Sequence, residues 1–396
     1  GTHRLLHFAR GLVEGGIDVT VLTRSLGSFK NIDESLTQVF PWPAKIVRAA
    51  PVESRIGRSI SALKKVLLQP SGADIRTTET DSKTAGTGEP NRSILRAFLP
   101  TPRLARTRQL LDRIEKIPDM HKGWLQPAIK TGRDQFLRQP FHMIDASGPP
   151  WTCLRVGAQL AREFQTPFIA DYRDPWTHRS GLEGFTRGVG FDWLSERMET
   201  RVLESTTLAL TNSPNVAEAL SEGYPKLGPS RVATILNGSD ARRRSEEASF
   251  PPLQGLVARH FGTLYAGRVI SPLVEAAAIR IESGADWVVE QYGDTPDRDD
   301  IDALPLSRRT LISVSRSLPF TTAVERMHEP CVLVVIQPEW FARQVPTKLY
   351  DYLCTGNPIL VLAPDDSAAW RLARQNERCT RADPEDVTGI ARALKD

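Results

Sequence analysis

Short runs of apolar residues alternate along the chain with longer segments in which apolar residues recur every three or four positions. The first such segment, residues 2–15, places its leucines and its phenylalanine on one face, which predicts an amphipathic helix that ends at a pair of glycines. Residues 18–22 follow as a short apolar run and predict a buried strand. A helix followed by a buried strand is half of a βαβ unit, so we expect a further strand before the first residue of this sequence, Gly1.

The same alternation continues through the rest of the chain. Strands are predicted over residues 141–146, 167–171, 208–211, 232–236, 259–265, 286–292, 309–314, 331–336 and 359–363, with helices at 152–164, 193–203 and 215–222 and between the later strands. Each strand is a nearly continuous apolar run, which is typical of a parallel sheet covered by helices on both faces. We therefore expect two doubly wound α/β domains in tandem, with ligands at the carboxyl ends of the strands, in a cleft between the domains.

Composition along the chain divides these domains. Residues 241–257 are charged and then proline-rich, which predicts a linker between an N-terminal domain at 1–240 and a C-terminal domain at 258–396. Residues 70–93 contain no aromatic side chain and predict a mobile insertion. Basic helices are predicted over residues 103–138. Their apolar face, which could pack on the core or lie on lipid headgroups, comprises Leu104, Leu110, Leu111 and Ile114.

The overall composition is that of a globular protein. The chain has 396 residues, so each domain is long enough to bury its own core. The composition argues against collagen-like, disulfide-stapled and disordered proteins. No run of about 18 apolar residues predicts a transmembrane helix, and no signal-peptide pattern precedes the first helix. The cysteines Cys153, Cys331, Cys354 and Cys379 form no C-x-x-C pair, which indicates a reducing compartment and argues against zinc.

Charge is distributed unevenly. The net charge is +4, yet the first 150 residues are strongly basic and the remainder is mildly acidic. The basic residues do not interleave with aromatic ones and no nucleic-acid motif is present, so nucleic acid is not the expected partner. An anionic membrane surface fits better, and a simple solvated basic face remains the alternative. We expect a cytoplasmic protein, peripheral on the inner face of the cytoplasmic membrane.

Two segments of the N-terminal half combine polar residues with the end of a predicted strand. Asp171, Arg173 and Asp174 directly follow a strand, so a carboxylate there could take a proton from an acceptor hydroxyl while the arginine tunes it. Trp176 adds a flat apolar surface, and a structural Arg–Asp pair is the alternative. Ser147 lies in a turn of small residues at 145–150 that would let a ligand approach the next helix N-terminus, although this turn alone is a weak signal.

Two further segments lie in the C-terminal half. In residues 261–268, Gly267 permits close backbone approach and Arg268 can hold a diphosphate. No G-x-G-x-x-G or G-x-x-x-x-G-K-[ST] fingerprint is present. Farther on, a helix opens at Thr347, where Lys348 can reach an anion at the helix N-terminus and Asp351 can accept from a ribose. A Lys–Asp surface pair is the alternative there.

These segments, taken in order, resemble GT-B glycosyltransferases of the GT4-like group, of the bacterial polysaccharide type. Residues 346–360 resemble the P-x-K…E-Y-L…G-x-P-I-L region, residues 262–268 resemble G-x-L-x-x-G-R, and residues 171–176 resemble an R-D-P-W segment. The opening residues 1–23 and the N-G-S-D at 237–240 also agree. The resemblance covers nearly the whole chain apart from residues 24–140.

The resemblance implies two Rossmann-like domains that face each other across a cleft. It implies a hexosyltransferase-type enzyme whose donor is a nucleotide-diphosphate sugar and whose acceptor is lipid-linked or a polysaccharide of the cell envelope. Arg268, Gly267, Thr347 and Lys348 would hold the donor diphosphate and Asp351 its ribose. No metal or other cofactor is implied, because cationic side chains and helix dipoles would stabilise the departing diphosphate.

The chain also departs from the family pattern. The family often has two glutamates separated by seven positions, and Arg343 stands where the first would be, with Glu339 only nearby. The lysine that usually follows the donor-domain arginine is absent. Two alternatives therefore stay open: a nucleotide-sugar epimerase of the same architecture, and a non-catalytic protein that binds a sugar nucleotide.

Overall fold

The computed structural model describes residues 2–28, 45–52, 114, 117–177, 189–239, 256–265, 267–295 and 299–395. Most of the predicted linker, the predicted insertion at 70–93 and the leucines of the basic segment lie outside these residues. In the described part, no helix is long and apolar enough to cross a membrane.

The N-terminal half forms two parallel sheets. Strands β1 (Thr20–Arg24) and β2 (Lys45–Ala49) pair with each other, after helix α1 (Thr2–Glu14). Strands β3 (Ile144–Gly148), β4 (Phe168–Tyr172), β5 (Leu208–Thr211) and β6 (Val232–Thr234) form a four-stranded sheet in sequence order. The helices of this half are α2 (Leu125–Phe136), α3 (Trp151–Phe164), α4 (Val189–Glu204) and α5 (Pro214–Gly223).

The C-terminal half forms one six-stranded parallel sheet in the order β12-β11-β10-β7-β8-β9. Its strands are β7 (Leu256–Phe261), β8 (Trp287–Tyr292), β9 (Ile312–Ser315), β10 (Val332–Ile336), β11 (Ile359–Leu362) and β12 (Cys379–Ala382). Its helices are α6 (Ser271–Glu282), α7 (Asp299–Asp302), α8 (Leu306–Arg309), α9 (Phe320–His328), α10 (Thr347–Thr355), α11 (Ala368–Ala373) and α12 (Val387–Ala393).

Helices cover both faces of the six-stranded sheet, as the apolar runs predict. Alternate residues of β10 point to opposite faces because the side-chain period of a strand is two. Val334 packs with residues of α6 and α12 in one cluster, whereas Leu333 and Val335 pack with residues of α10 and α11 in another. The expectation of doubly wound α/β architecture is confirmed.

Several predicted boundaries are wrong by a few residues. Strand β7 covers 256–261 rather than 259–265, so the last two residues of the predicted linker belong to the sheet, where they pair with β8. The strand ends at Gly262, whose φ of +123° is incompatible with a continuing strand. Strand β3 runs to Gly148 because it pairs with the whole of β4. Strand β2 was not predicted, since its residues are mostly exposed and carry little hydrophobic pattern.

Candidate active site

Lysine 348 lies at the carboxyl edge of the six-stranded sheet, in the first turn of α10. Its Nζ is 2.7 Å from Nε2 of His260 on β7, and Nδ1 of the same ring is 2.5 Å from Oε1 of Gln291 on β8. The Gln291 amide donates to the carbonyl of Gly262 at 2.8 Å. A Cβ at Gly262 would lie 3.0 Å from the lysine Nζ, so the glycine leaves room for the ammonium group. Two neighbouring strands and one helix thus fix the lysine head group.

The protonation of this cluster follows from burial. His260 is fully buried, and this burial together with Lys348 holds the histidine pKa well below its ordinary value. The neutral ring donates from Nδ1 to Gln291, which leaves Nε2 to accept from the lysine. Burial, and then the nearby Arg268, lower the pKa of Lys348 to about 7.

Arginine 268 is the second cation of this edge. Its guanidinium carbon lies 4.7 Å from the ring centre of Tyr265 and 4.1 Å from that of Phe341, so the group is held between two aromatic rings. Within the described residues, neither Arg268 nor Lys348 has a carboxylate partner. Two cations close enough to lower a lysine pKa, without a counterion there, make a site that favours a dianion.

The glycine before this arginine is sterically required. Gly267 has φ +79°, and a Cβ at this position would lie 2.7 Å from Nε1 of Trp340. The group that lies against Gly267 is therefore the indole of Trp340, and a contact of Gly267 with the donor stays a prediction. Thr347 is half-buried at the first position of α10.

Asp351 lies one turn after the lysine on α10 and is 8% exposed. Its Oδ1 accepts from the hydroxyl of Ser239, in the N-terminal half, at 2.5 Å. The Ser213 hydroxyl likewise donates across to the carbonyl of Arg343 at 3.0 Å. The carboxyl ends of the strands in the two halves therefore face each other, and the predicted ribose-binding carboxylate already holds a hydrogen bond between them.

Asp171 is a buried carboxylate that accepts hydrogen bonds from two side chains. Arg4 of α1 donates to it from Nη2 at 2.8 Å and from Nε at 3.0 Å, and the Ser147 hydroxyl donates at 2.6 Å. Arg4 also donates to the carbonyl of Ile235 at 2.7 Å and to Oδ1 of Asn237 at 3.1 Å. Asp171 is fully buried, so its position fits the alternative interpretation of this motif, a structural Arg–Asp pair, with Arg4 as the arginine.

Two hydrogen bonds hold the backbone of Arg173, the first residue after β4. The Arg173 N–H donates to the carbonyl of Gly148 at 2.9 Å, and the Asn212 amide donates to the carbonyl of Arg173 at 2.6 Å. Asp174 is half-buried, so of the two predicted catalytic carboxylates it is the one that solvent reaches.

Two expectations for the acceptor side need correction. Trp176 is 4% exposed and stacks on Trp151 with ring centres 5.2 Å apart, so its flat face belongs to the core. The N-terminus of α3, which the turn at 145–150 was expected to offer to a ligand, is occupied by Asp119. This carboxylate accepts from the Thr152 N–H at 2.7 Å and from the Thr152 hydroxyl at 2.8 Å.

Several site residues were missed at the sequence level. His260 and Gln291 are polar residues in otherwise apolar strands, and this interruption is the signal that could have found them. Arg4 and Asp119 offer no such signal, because their partners lie 167 and 33 positions away. Among the described residues, no three His, Cys, Asp or Glu side chains converge as metal ligands would.

The chain resembles known proteins in its three-dimensional structure. No protein-family profile matches the chain, and no curated sequence matches it. Sucrose-phosphate synthase from Thermosynechococcus elongatus aligns over 69% of this chain and 68% of its own, with a TM-score of 0.53 and 14% identity. A glycosyltransferase from Rickettsia africae aligns over 98% of this chain and 81% of its own, with a TM-score of 0.52 and 10% identity.

A third solved structure represents a different activity. A Listeria monocytogenes protein assigned as a UDP-N-acetylglucosamine 2-epimerase aligns over 99% of this chain and 84% of its own, with a TM-score of 0.53 and 10% identity. The similarity to these proteins lies in the architecture, since only 10% to 14% of the aligned residues are identical. The tandem parallel sheets and these structural matches together show that the chain has the GT-B fold.

Proposed function

We propose that this protein is a glycosyltransferase that moves a sugar from a nucleotide-diphosphate sugar to a lipid-linked or polysaccharide acceptor. The observation that carries the proposal is the pair Arg268 and Lys348, which has no carboxylate partner in the described part of the chain. The pair lies at the carboxyl edge of a doubly wound sheet, where such folds bind their ligands. A hexosyl donor and a peripheral position at the cytoplasmic face of a membrane belong to the same proposal.

The donor diphosphate would lie against Lys348, Arg268 and the N-terminus of α10. As the bond between the anomeric carbon and the diphosphate oxygen breaks, negative charge grows on the leaving group and these cations stabilise it. A diphosphate also reverses the cost of placing two cations together, so it would raise the pKa of Lys348 and keep the lysine charged. This assignment requires no metal ion.

The acceptor would approach from the N-terminal half. Asp174 would orient the acceptor hydroxyl and take its proton as the new bond to the anomeric carbon forms. Asp171, being buried against Arg4, would act indirectly by fixing the end of β4. Asp351 would accept from the ribose, and Thr347 and Gly267 would line the diphosphate site.

The test is binding of UDP, GDP, TDP and CMP to the protein, measured by thermal shift and by calorimetry, with and without EDTA. We expect one diphosphate to raise the melting temperature by mass action, without any effect of EDTA. Arg268→Gln or Lys348→Met should weaken its binding about 10- to 150-fold, the effect of about 1.5–3 kcal/mol for a charged hydrogen bond.

The matched control is Arg326→Gln, since Arg326 is an exposed arginine of the same half that pairs with Glu329. Its nucleotide affinity should equal that of the wild type. Equal weakening in Arg326→Gln and Arg268→Gln, or no binding of any nucleotide to the wild type, contradicts the donor-site assignment.

The epimerase alternative keeps one supporting observation, the match to the Listeria monocytogenes protein over 99% of this chain. An epimerase converts its nucleotide sugar without any acceptor. Proton NMR of UDP-N-acetylglucosamine incubated with the protein alone distinguishes the two activities. Appearance of the 2-epimer supports the epimerase, whereas an unchanged sugar that is transferred once an acceptor is added supports the transferase.

A further inference from the structure

Two polar side chains interrupt the core of the C-terminal half beneath Lys348. His260 on β7 and Gln291 on β8 are both fully buried, and they lie opposite each other on the paired strands. Buried polar groups destabilise a core unless they are hydrogen-bonded, and an apolar pair at these positions would impose no such requirement. Their position under a cation of the candidate site therefore indicates a role in that site.

Hydrogen bonds fix which nitrogen of the His260 ring faces the lysine. The Gln291 amide donates to the carbonyl of Gly262 at 2.8 Å, so its Oε1 faces the ring, 2.5 Å from Nδ1. An amide oxygen can only accept, so Nδ1 of the neutral ring carries the proton. Nε2 is then an acceptor, 2.7 Å from Nζ of Lys348. It can accept from Nζ whether the lysine is an ammonium group or a neutral amine.

The acceptor beneath Lys348 is thus uncharged. Two buried arginines of this protein lie instead against carboxylates, Arg4 against Asp171 and Arg259 against Glu290. A carboxylate in the place of His260 would cancel the positive charge of the lysine. A neutral ring nitrogen orients the head group and leaves its charge available to a ligand.

The surroundings of Lys348 disfavour its charged form in the free protein. The charged or titratable side chains on the elements that carry this cluster are His260 on β7, Arg268 in the loop after β7, and Asp351 and Tyr352 on α10 itself. Tyr352 stays un-ionised, because burial raises its pKa, and Asp351 already accepts a hydrogen bond from the other half. Burial and Arg268 lower the pKa of Lys348 to about 7, whereas a diphosphate beside both cations would raise it.

We infer that His260 is a positioning residue that holds Lys348 in place while the lysine takes up a proton as a diphosphate binds. Its Nε2 accepts from the neutral amine in the free protein and from the ammonium group in the complex, so the head group keeps one position. The proton comes from solvent and goes to Nζ, where it adds a charge-assisted hydrogen bond to the diphosphate. The inference rests on the proposed function, which places the donor diphosphate at this edge of the sheet.

Calorimetry of UDP, GDP and TDP at pH 8 measures this proton. Each titration is run in HEPES and in Tris, because the difference between the two observed enthalpies reports the protons that the buffer exchanges. A terminal phosphate, with a pKa of about 6, is already ionised at this pH. A lysine with a pKa of about 7 is mostly neutral there, so we expect uptake of close to one proton by the wild type and none by Lys348→Met.

Two variants of His260 test its positioning role. His260→Gln keeps a carbonyl that can accept from the lysine and an amide that can donate to Gln291, whereas His260→Leu removes both. We expect His260→Leu to weaken nucleotide binding about tenfold and to increase proton uptake at pH 7, because the ammonium group loses its acceptor and its pKa falls further. His260→Gln should restore most of the affinity and the proton uptake of the wild type.

The matched control is His328→Gln, since His328 is a histidine of the same half whose Nδ1 lies 2.9 Å from the Val324 carbonyl. Its affinity and proton uptake should equal those of the wild type, and far-UV circular dichroism verifies the fold of each variant. Three results overturn the inference: nucleotide binding without proton uptake, equal behaviour of His260→Leu and His328→Gln, or nitrogen-15 NMR that places the His260 ring proton on Nε2. Failure of all three nucleotides to bind the wild type instead contradicts the proposed function itself.

Discussion

At the scale of single residues, several charged side chains are buried, where the loss of solvation destabilises them. Asp171 and Arg4 neutralise each other inside the N-terminal half, whereas Lys348 and Arg268 have no such compensation among the described residues. Two cations placed close together destabilise the free protein, and a bound anion would offset their repulsion. Such a pair therefore indicates a binding site. Burial alone does not distinguish a structural ion pair from a binding site. The presence of an oppositely charged partner for Asp171, and its absence for Lys348 and Arg268 among the described residues, distinguishes them.

The first prediction concerns the stability cost of Lys348. Its pKa is lowered to about 7 in the folded protein, so between that value and the ordinary lysine pKa the unfolded chain binds the extra proton. Stability should therefore rise with pH across this window, by up to about 1.4 kcal/mol per pH unit. Lys348→Met should remove this dependence and stabilise the protein most below pH 7.

Urea denaturation of both proteins at pH 6, 8 and 9.5 measures the effect. Substitution of Lys395, an exposed lysine near the end of the described chain, serves as the control. Parallel stability profiles for wild type and Lys348→Met would show that the buried lysine does not control this pH dependence.

The second prediction concerns the pair Arg4 and Asp171. Arg4→Ala leaves a fully buried carboxylate without its cation and should cost about 3–5 kcal/mol of stability. The double variant Arg4→Ala/Asp171→Asn should recover much of this loss because no buried charge remains. Arg10→Ala breaks an exposed pair with Glu14 on the same helix and should change stability by no more than about 0.5 kcal/mol. Similar losses in Arg4→Ala and Arg10→Ala, measured by denaturation, would exclude a special role for the buried pair.

At the scale of elements, small residues decide how closely helices pack on the sheets. Gly157 of α3 lies against β3 and β4, where a Cβ would come 2.9 Å from the Cβ of Ala146 and 2.5 Å from the Phe168 ring. The hydrophobic pattern predicts that α3 packs there, but it does not predict this close approach. The contact holds the helix beside the strand ends that carry Ser147 and Arg173.

The third prediction compares two helical glycines. Gly157→Ala should cost about 1–3 kcal/mol, because the added methyl group overpacks the interface with the sheet. Gly11→Ala in α1 has open space around the new methyl group and should stabilise the protein by up to about 1 kcal/mol through helix propensity. Thermal denaturation of both variants tests this opposite sign. A stabilised Gly157→Ala would mean that the interface relaxes without cost.

At the scale of the whole molecule, two serine hydroxyls join the halves across the candidate site. Ser239 donates to Asp351, and Ser213 donates to the carbonyl of Arg343, which stands where the family pattern that this sequence resembles often has a glutamate. The Asp351 carboxylate therefore accepts a hydrogen bond from a hydroxyl group of the other half. A ribose hydroxyl could donate to it in the same way. A nucleotide that uses Asp351 would compete with Ser239 for it.

The fourth prediction follows from this competition. Ser239→Ala should tighten binding of a nucleoside diphosphate about two- to tenfold, as expected for one hydrogen bond, and should leave inorganic pyrophosphate binding unchanged. Calorimetry with both ligands measures the difference. Ser283→Ala removes a hydroxyl at the exposed end of α6 and should change neither affinity. Unchanged nucleotide affinity in Ser239→Ala would argue against a role of Asp351 in ribose binding.

The sequence by itself determined the alternation of strands and helices and the doubly wound architecture. These features follow from local periodicity, which depends on residues a few positions apart. The GT-B fold was implied by the resemblance of several motifs, in order, to GT4-like glycosyltransferases. The sequence also placed Lys348 in the first turn of a helix and Arg268 close after a strand, in what the structure shows to be the loop between β7 and α6. Their roles, like those of Asp174 and Asp351, stay predictions.

Only the tertiary structure decided which charged groups are satisfied. It buried Asp171 against Arg4, put Trp176 into the core, set His260 beneath Lys348 and left the buried Nε of Arg173 without an acceptor in the described chain. Burial and pairing join residues that are scores of positions apart, so no local pattern records them. The energy of a charged group depends on its surroundings in space, because those surroundings set its solvation and its partners.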